Sequence, residues 1–449
     1  MTGLSVAHRT ALAGIVDACG DAALTQLEAV VRTLPGPRAA DLLIMLRAES
    51  LDRRRRQTAF GPLVAMFRAR GDGVAGLTFP PAVLARLWRA VSGREPTLLA
   101  SLDDAEGPQA AAVGDRLCLA AAGVVRDRGQ DIWPGGDPAS LAELAGCFDL
   151  AHLVRRGADR LPAWSDRPDG EQAAELRLLM RDAGSVADEG SRRAIEILFA
   201  HLTEAHRILR VIVNTSSAAG REGFLSESEM AVFVDRLIDA VSDRVARVAA
   251  FRPQAGLQGL ETVKADMLWC AAVLSELEMT VQVRPNSVWG KQARDARVKV
   301  AGQLQSLLKG VEPAIDKVLP TVRAQTAGRM TRQVPKLDTP VDGDMVEQAR
   351  ILLSLVAAVR SPAGVFGCEA QRAKVVAALE DRLSKHADEA LELINAGDAE
   401  DETHAIALVE LVAEFLDRIE LVEPARTVRR RVAVAGGQAH ALGASLPAA

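Results

Sequence analysis

The stretch SESEMAVFVDRLIDAVSDRVARVAAF, residues 226–251, reads as a single helix. Met230, Val234, Leu237, Val241, Val245 and Val248 recur at intervals of three and four, which at about 100° per residue sets them on one face. Asp235, Asp239 and Asp243 fall largely off that face. The same period returns over residues 191–213, through Ile195, Leu198, Leu202, Ala205, Leu209 and Ile212. It returns again from Trp289 to Ile315, from Val376 to Leu393 and from Ile406 to Ile419. Segments of roughly 20 to 30 residues exceed the usual helix mean of about 12. Only TVQVRP, residues 280–285, alternates as a strand does. The predicted class is all-α.

The N-terminal third is more often interrupted. Proline, glycine and charge break the period at LPGPR (34–38), TFPPAV (78–83) and GQDIWPGGDP (129–138). The spacing predicts short helices over about 7–18, 21–34, 38–57, 60–70, 80–92, 96–104, 107–128 and 138–156. Pro37 stands where a first-turn proline opens a helix. LPAWSDRPDG (161–170) carries the strongest boundary signal. The expected organisation is an irregular short-helix domain over 1–165, then long antiparallel helices over 170–432, as a bundle or an elongated array of helical hairpins. A proline-bearing loop, 320–343, interrupts the second domain, and a Gly/Ala-rich tail, 436–449, is expected to be flexible.

Composition excludes several classes of function. Apolar residues make up 49% of the 449, enough for a sizeable core. A net charge of −5 and a pI near 5.9 give no global field to recruit nucleic acid or acidic lipid. With 3% aromatics and no tyrosine, a base-stacking platform is not expected. Cys19, Cys118, Cys147, Cys270 and Cys368 are odd in number and scattered, which argues against a disulfide framework or a thiolate zinc site. Free thiols in a reducing compartment, hence a cytoplasmic protein, are expected. The N-terminus lacks the basic region of a signal peptide, and Asp17 interrupts its apolar run. No apolar run reaches the roughly 18 residues of a membrane span. The alanine- and arginine-rich usage, with all eight lysines from Lys264 onward, suits a GC-rich bacterial genome.

The motifs that suggest chemistry each lack a required part. GREGFLSESE (220–229) resembles the second half of a calcium loop, with Gly223 at position six and Glu229 at twelve. Positions one and three fall on Ala218 and Gly220, which carry no side-chain oxygen. Ser226 and Glu229 instead have the S-x-x-E spacing of a capping box at a helix start. In HLTEAH (201–206) the two histidines point about 140° apart on a helix, unlike i, i+4 metal ligands. DETH (401–404) supplies one carboxylate–histidine pair where a di-iron bundle needs two Glu-x-x-His copies. GDGVAG (71–76) matches a dinucleotide fingerprint literally, but helix precedes it and prolines follow. No P-loop and no G-x-S-x-G are present. No cofactor and no metal site is expected.

Two features remain. RRRR, Arg53, Arg54, Arg55 and Arg56, lies in a segment, 1–70, with ten arginines against six carboxylates. It reads as a solvated helix face, or as a contact for an anionic surface or acidic partner. His386 falls on the apolar seam of its helix, between Leu383 and Ala390, where a histidine packs, faces a partner or responds to pH. With little catalytic chemistry and many amphipathic helices, the expected function is a non-catalytic scaffold, adaptor or regulatory subunit that binds another protein. Self-association is a further expectation. The alternative is an all-α enzyme or small-ligand-binding protein with a pocket between helices.

Overall fold

The computed structural model describes residues 4–216, 220–325 and 331–443, and the protein is all-α with one small hairpin. It forms two compact units, Met1–Val234 and Asp235–Ala449. The first holds α1 (Val6–Ala18), α2 (Asp21–Arg32), α3 (Pro37–Val64), α4 (Pro81–Arg94), α5 (Pro96–Asp103) and α6 (Gly107–Ile132). It continues with α7 (Pro138–Asp149), α8 (Ala151–Trp164), α9 (Gly170–Val186), α10 (Gly190–His201), α11 (Ile208–Val213) and α12 (Glu222–Leu225). The division between units falls inside α13 (Ala231–Ala250). The second unit adds α14 (Gly256–Thr280), α15 (Val288–Lys309), α16 (Val311–Val318), β1 (Thr321–Gln325), β2 (Thr331–Pro335), α17 (Gly343–Ala358), α18 (Glu369–Ala396), α19 (Glu402–Arg418) and α20 (Val422–Gly443). The stretch 161–170, read as a boundary, contains the short turn between α8 and α9. Helix α20 runs into the segment read as a tail, and residues 444–449 lie outside those described.

Prolines set the starts of the N-terminal helices. Helices α3, α4, α5, α6 and α7 each carry one in the first two positions, where the missing N–H leaves no partner wanting. The expected helices 38–57 and 60–70 join, because α3 runs on to Val64 and continues as a 3₁₀ turn. Its interior Pro62 cannot donate to the Thr58 carbonyl. Arg155 of α8 substitutes: its guanidinium donates to Thr58 O at 2.9 Å and Ala59 O at 2.7 Å, and is itself held by Asp115 at 2.8 Å. Gly114 makes room for this junction, since a Cβ there would stand 3.1 Å from Ala59 Cα and 3.0 Å from the guanidinium. Below it Phe60 packs edge-on against Trp88 and Phe148, with centroids 5.2 and 4.9 Å away.

Three local expectations are corrected. The period over 191–213 does not form one helix: α10 stops at His201, Leu202 is extended, and a 3₁₀ turn leads into α11. Distant side chains hold the break. Arg70 donates to Phe199 O, and Asp72 Oδ2 accepts from Ala205 N at 3.1 Å. Ser226 and Glu229 do not form a capping box. Ser226 closes the short helix α12, its hydroxyl donating to Gly223 O, while Ser228 Oγ accepts from Met230 N just before α13. A capping box does form at α9, where Asp169 and Gln172 exchange bonds at 2.8 and 3.1 Å. Ala218, the first position of the calcium-loop alignment, lies outside the described residues.

The third correction is in 320–343, which is not all loop. Strands β1 and β2 pair antiparallel, Thr321 opposite Pro335 and Arg323 opposite Gln333. A lone hairpin is marginal in water; here Arg332 anchors it to Glu389 of α18, with Nη2 to Oε1 at 2.7 Å. TVQVRP instead forms the end of α14 and the connection to α15. The stripe that decided the class does bury: Val234, Leu237, Val241, Val245 and Val248 are all in the core, while Asp235, Asp239 and Asp243 face out.

Candidate functional site

The arginine run is divided among internal partners. Arg53 donates to Val16 O and Cys19 O at the end of α1, and to Glu49 and Asp21. Its guanidinium therefore satisfies carbonyls a helix end leaves open. Arg55 grips Asp103 with two bonds. Arg54 is exposed, and Arg56 is half-buried with no ion pair among the described residues. An RGD tripeptide, residues 70–72, overlaps the start of the glycine motif, and its charged side chains point inward: Arg70 and Asp72 form a two-bond pair with side chains 6% and 10% exposed. The Arg70 guanidinium also lies 4.1 Å from the Phe199 ring centroid. Next to it Glu196, on α10, accepts from Leu77 N at 3.1 Å. This loop is a structural lock.

The other motifs resolve in the same way. His201 bonds to Pro62 O at 2.7 Å, and Glu204 pairs with Arg207. All five cysteines are free thiols. Burial pushes the Cys118 and Cys270 thiols up to about 12 and Cys147 higher still, so they are not thiolate nucleophiles. Among the described residues no group of three or more His, Cys, Asp or Glu could hold a metal ion, and no helix is long and apolar enough to cross a membrane.

One surface stands apart. Helices α17 and α19 line a groove of about 960 Å³ with the segment just after β2 at one end. Gly343, Val346 and Arg350 follow one another on one face of α17, as do His404, Ala407, Leu411 and Glu414 on α19. Spacings of three and four on both helices give the groove two parallel-sided walls of turns. Pro340, Val341, Val346, Ala407 and Leu411 make its apolar surface. DETH is part of its frame: Asp401 caps α19 by accepting from His404 N at 3.0 Å, and His404 Nε2 is 2.9 Å from Thr339 O. Because a carbonyl only accepts, this contact puts the proton on Nε2.

The groove is acidic. Arg350 donates two bonds to Glu414, at 2.8 and 2.7 Å, and Arg418 adds a third at 2.9 Å. Burial pushes the Glu414 carboxyl up, but these hydrogen bonds outweigh it and hold its pKa below the ordinary value. Arg350 is thereby neutralised. Asp338, Glu400 and Glu410 on the lining have no cationic partner among the described residues. Sequence reading missed this groove, since its lining comes, apart from buried Val346, from exposed and half-buried positions of two helices and a connecting segment, which carry no local signature. No family model matches the chain, and no curated protein or solved structure is detectably similar to it.

Proposed function

We propose that the protein is a non-catalytic adaptor or regulatory subunit that docks a segment of another protein in the α17–α19 groove. The observation that carries this reading is the combination of an apolar floor with carboxylates that have no internal cation. Two helices presenting i, i+3, i+7 faces suit a third helix laid between them. The free charge of Asp338, Glu400 and Glu410 favours a basic partner and would speed its encounter. The five free thiols support a reducing, cytoplasmic setting. A photo-crosslinking amino acid at Ala407 tests the reading. It should yield a discrete adduct in cells, lost when Glu400 and Glu410 are both changed to Lys and absent when the crosslinker sits at exposed Leu119. Adducts equal at both positions, or indifferent to the charge reversal, count against it.

A further inference from the structure

A second cavity, of about 540 Å³, lies between the hairpin and α18, beside α16. It shares no lining residue with the groove. Two carboxylates border it, and both are neutralised. Asp316 pairs with Arg382, and Glu389 is held by Arg332 at 2.7 Å. Two further groups on its wall are uncommitted. Lys385 is exposed and has no ion pair among the described residues.

The second group is His386. It is 9% exposed, and neither ring nitrogen has a hydrogen-bond partner among the described residues. The space His386 lines is this cavity. Buried polar groups are almost always hydrogen-bonded. A nine-tenths-buried imidazole with its donor and acceptor unused, next to an unpaired ammonium, marks a place where a ligand completes the set.

We propose that this cavity binds a small carboxylic acid as its monoanion, the carboxylate held between the Lys385 ammonium and a ring N–H of His386. One uncommitted positive charge matches one negative charge. A dianion such as phosphate meets Asp316 and Glu389 with no second free cation to offset them. From the hairpin, Thr321 Oγ1 donates to Gln333 Oε1 at 3.3 Å, which leaves the Gln333 amide N–H groups for a second oxygen on the ligand. The volume falls within the range of small-molecule sites.

Binding carries a protonic signature. The groups near the ring are Arg382, Lys385 and Glu389 on α18, Asp316 on α16, and Thr321 and Gln333 on the hairpin. Burial lowers the His386 pKa to about 4, with Glu389 opposing and Arg382 adding to the effect. A bound carboxylate places negative charge against the imidazole and raises that pKa, so the acid binds more tightly as pH falls.

The test is NMR of the full chain with labelled histidine, titrated with sodium acetate, sodium glycolate or inorganic phosphate at ionic strength held constant with sodium chloride. The His386 signal is assigned by its loss in His386→Gln. Acetate and glycolate should shift it saturably, with the other histidines still. Affinity should rise about twofold from pH 7.5 to 6 and fall about threefold in Lys385→Gln, an exposed change whose folding is checked by circular dichroism. A His386 signal unmoved by either acid, or moved equally by chloride, overturns the site. Phosphate binding at least as tightly as the acids overturns the monoanion assignment.

Discussion

The Arg70–Asp72 loop and the α17–α19 groove use the same residue types for opposite ends. In the loop every charge has an internal partner: Asp72 accepts from Arg70, Val74 N and Ala205 N, and Arg70 reaches Phe199 O. In the groove the arginine is neutralised by Glu414, while Asp338, Glu400 and Glu410 are left over. Motif matching favours the loop, which contains a glycine fingerprint and an RGD tripeptide. Physical accounting favours the groove, because charge without an internal partner is available to an external one. A residue's role here follows from where its hydrogen bonds go, and that is a property of the fold.

The largest effect is expected from Asp72→Ala. It leaves the Arg70 guanidinium buried without a counter-charge and frees the Ala205 N–H at the α10–α11 break. A loss of about 3–5 kcal/mol is expected in urea denaturation followed by tryptophan fluorescence. A loss under about 1 kcal/mol would make the loop peripheral rather than a lock.

His386 gives the next largest effect, and the sign follows from linkage. Its pKa is lowered to about 4 in the folded chain, against an unfolded value of about 6.5. Between those values the unfolded chain binds the extra proton, so stability falls as pH drops from 6.5 and levels off below 4. The loss approaches about 3 kcal/mol. His386→Gln should flatten this part of the pH–stability curve, and a curve of unchanged slope would contradict the assignment.

Arg155→Met removes the donors that replace the one missing at Pro62. With Thr58 O left short and Ala59 O reduced to its other donors, among them Cys118 Sγ, about 2 kcal/mol should be lost by the same denaturation assay, and full stability would show that water serves Thr58 O instead. The smallest effect sharpens the contrast from the other side. Glu400→Lys with Glu410→Lys should change stability by less than about 0.5 kcal/mol, since neither side chain has an internal cation, while abolishing the crosslink at Ala407. A large destabilisation would show that these carboxylates belong to the frame.

The all-α class was legible because helix periodicity is local. The stripe from Met230 to Val248 needs only its own spacing to announce a buried face, and Pro37 marks a helix start through its own ring. Five of the N-terminal helices came out close to their expected positions for the same reason, whereas 38–57 and 60–70 joined in α3 and the expected helix 138–156 divides at Leu150 into α7 and α8. The hairpin in 320–343 was not legible: Val322 and Ala324 alternate with Thr321, Arg323 and Gln325 over only five residues, and β2, TRQVP, carries no matching alternation. Its anchor, Glu389, lies 57 residues from Arg332.

Local periodicity was thus enough for the all-α class and for the buried stripe of α13, and motif spacing was enough to show which chemical motifs are incomplete. Tertiary structure alone decided that the period over 191–213 breaks at Leu202, since the groups that hold the break, Arg70 and Asp72, stand 129 and 133 residues from their partners. It alone decided that the charges of the RGD loop are paired internally and that Asp338, Glu400 and Glu410 of the groove are not. Hydrophobic period is written within one helix, whereas the pairing of a charge depends on which distant element the chain brings to it.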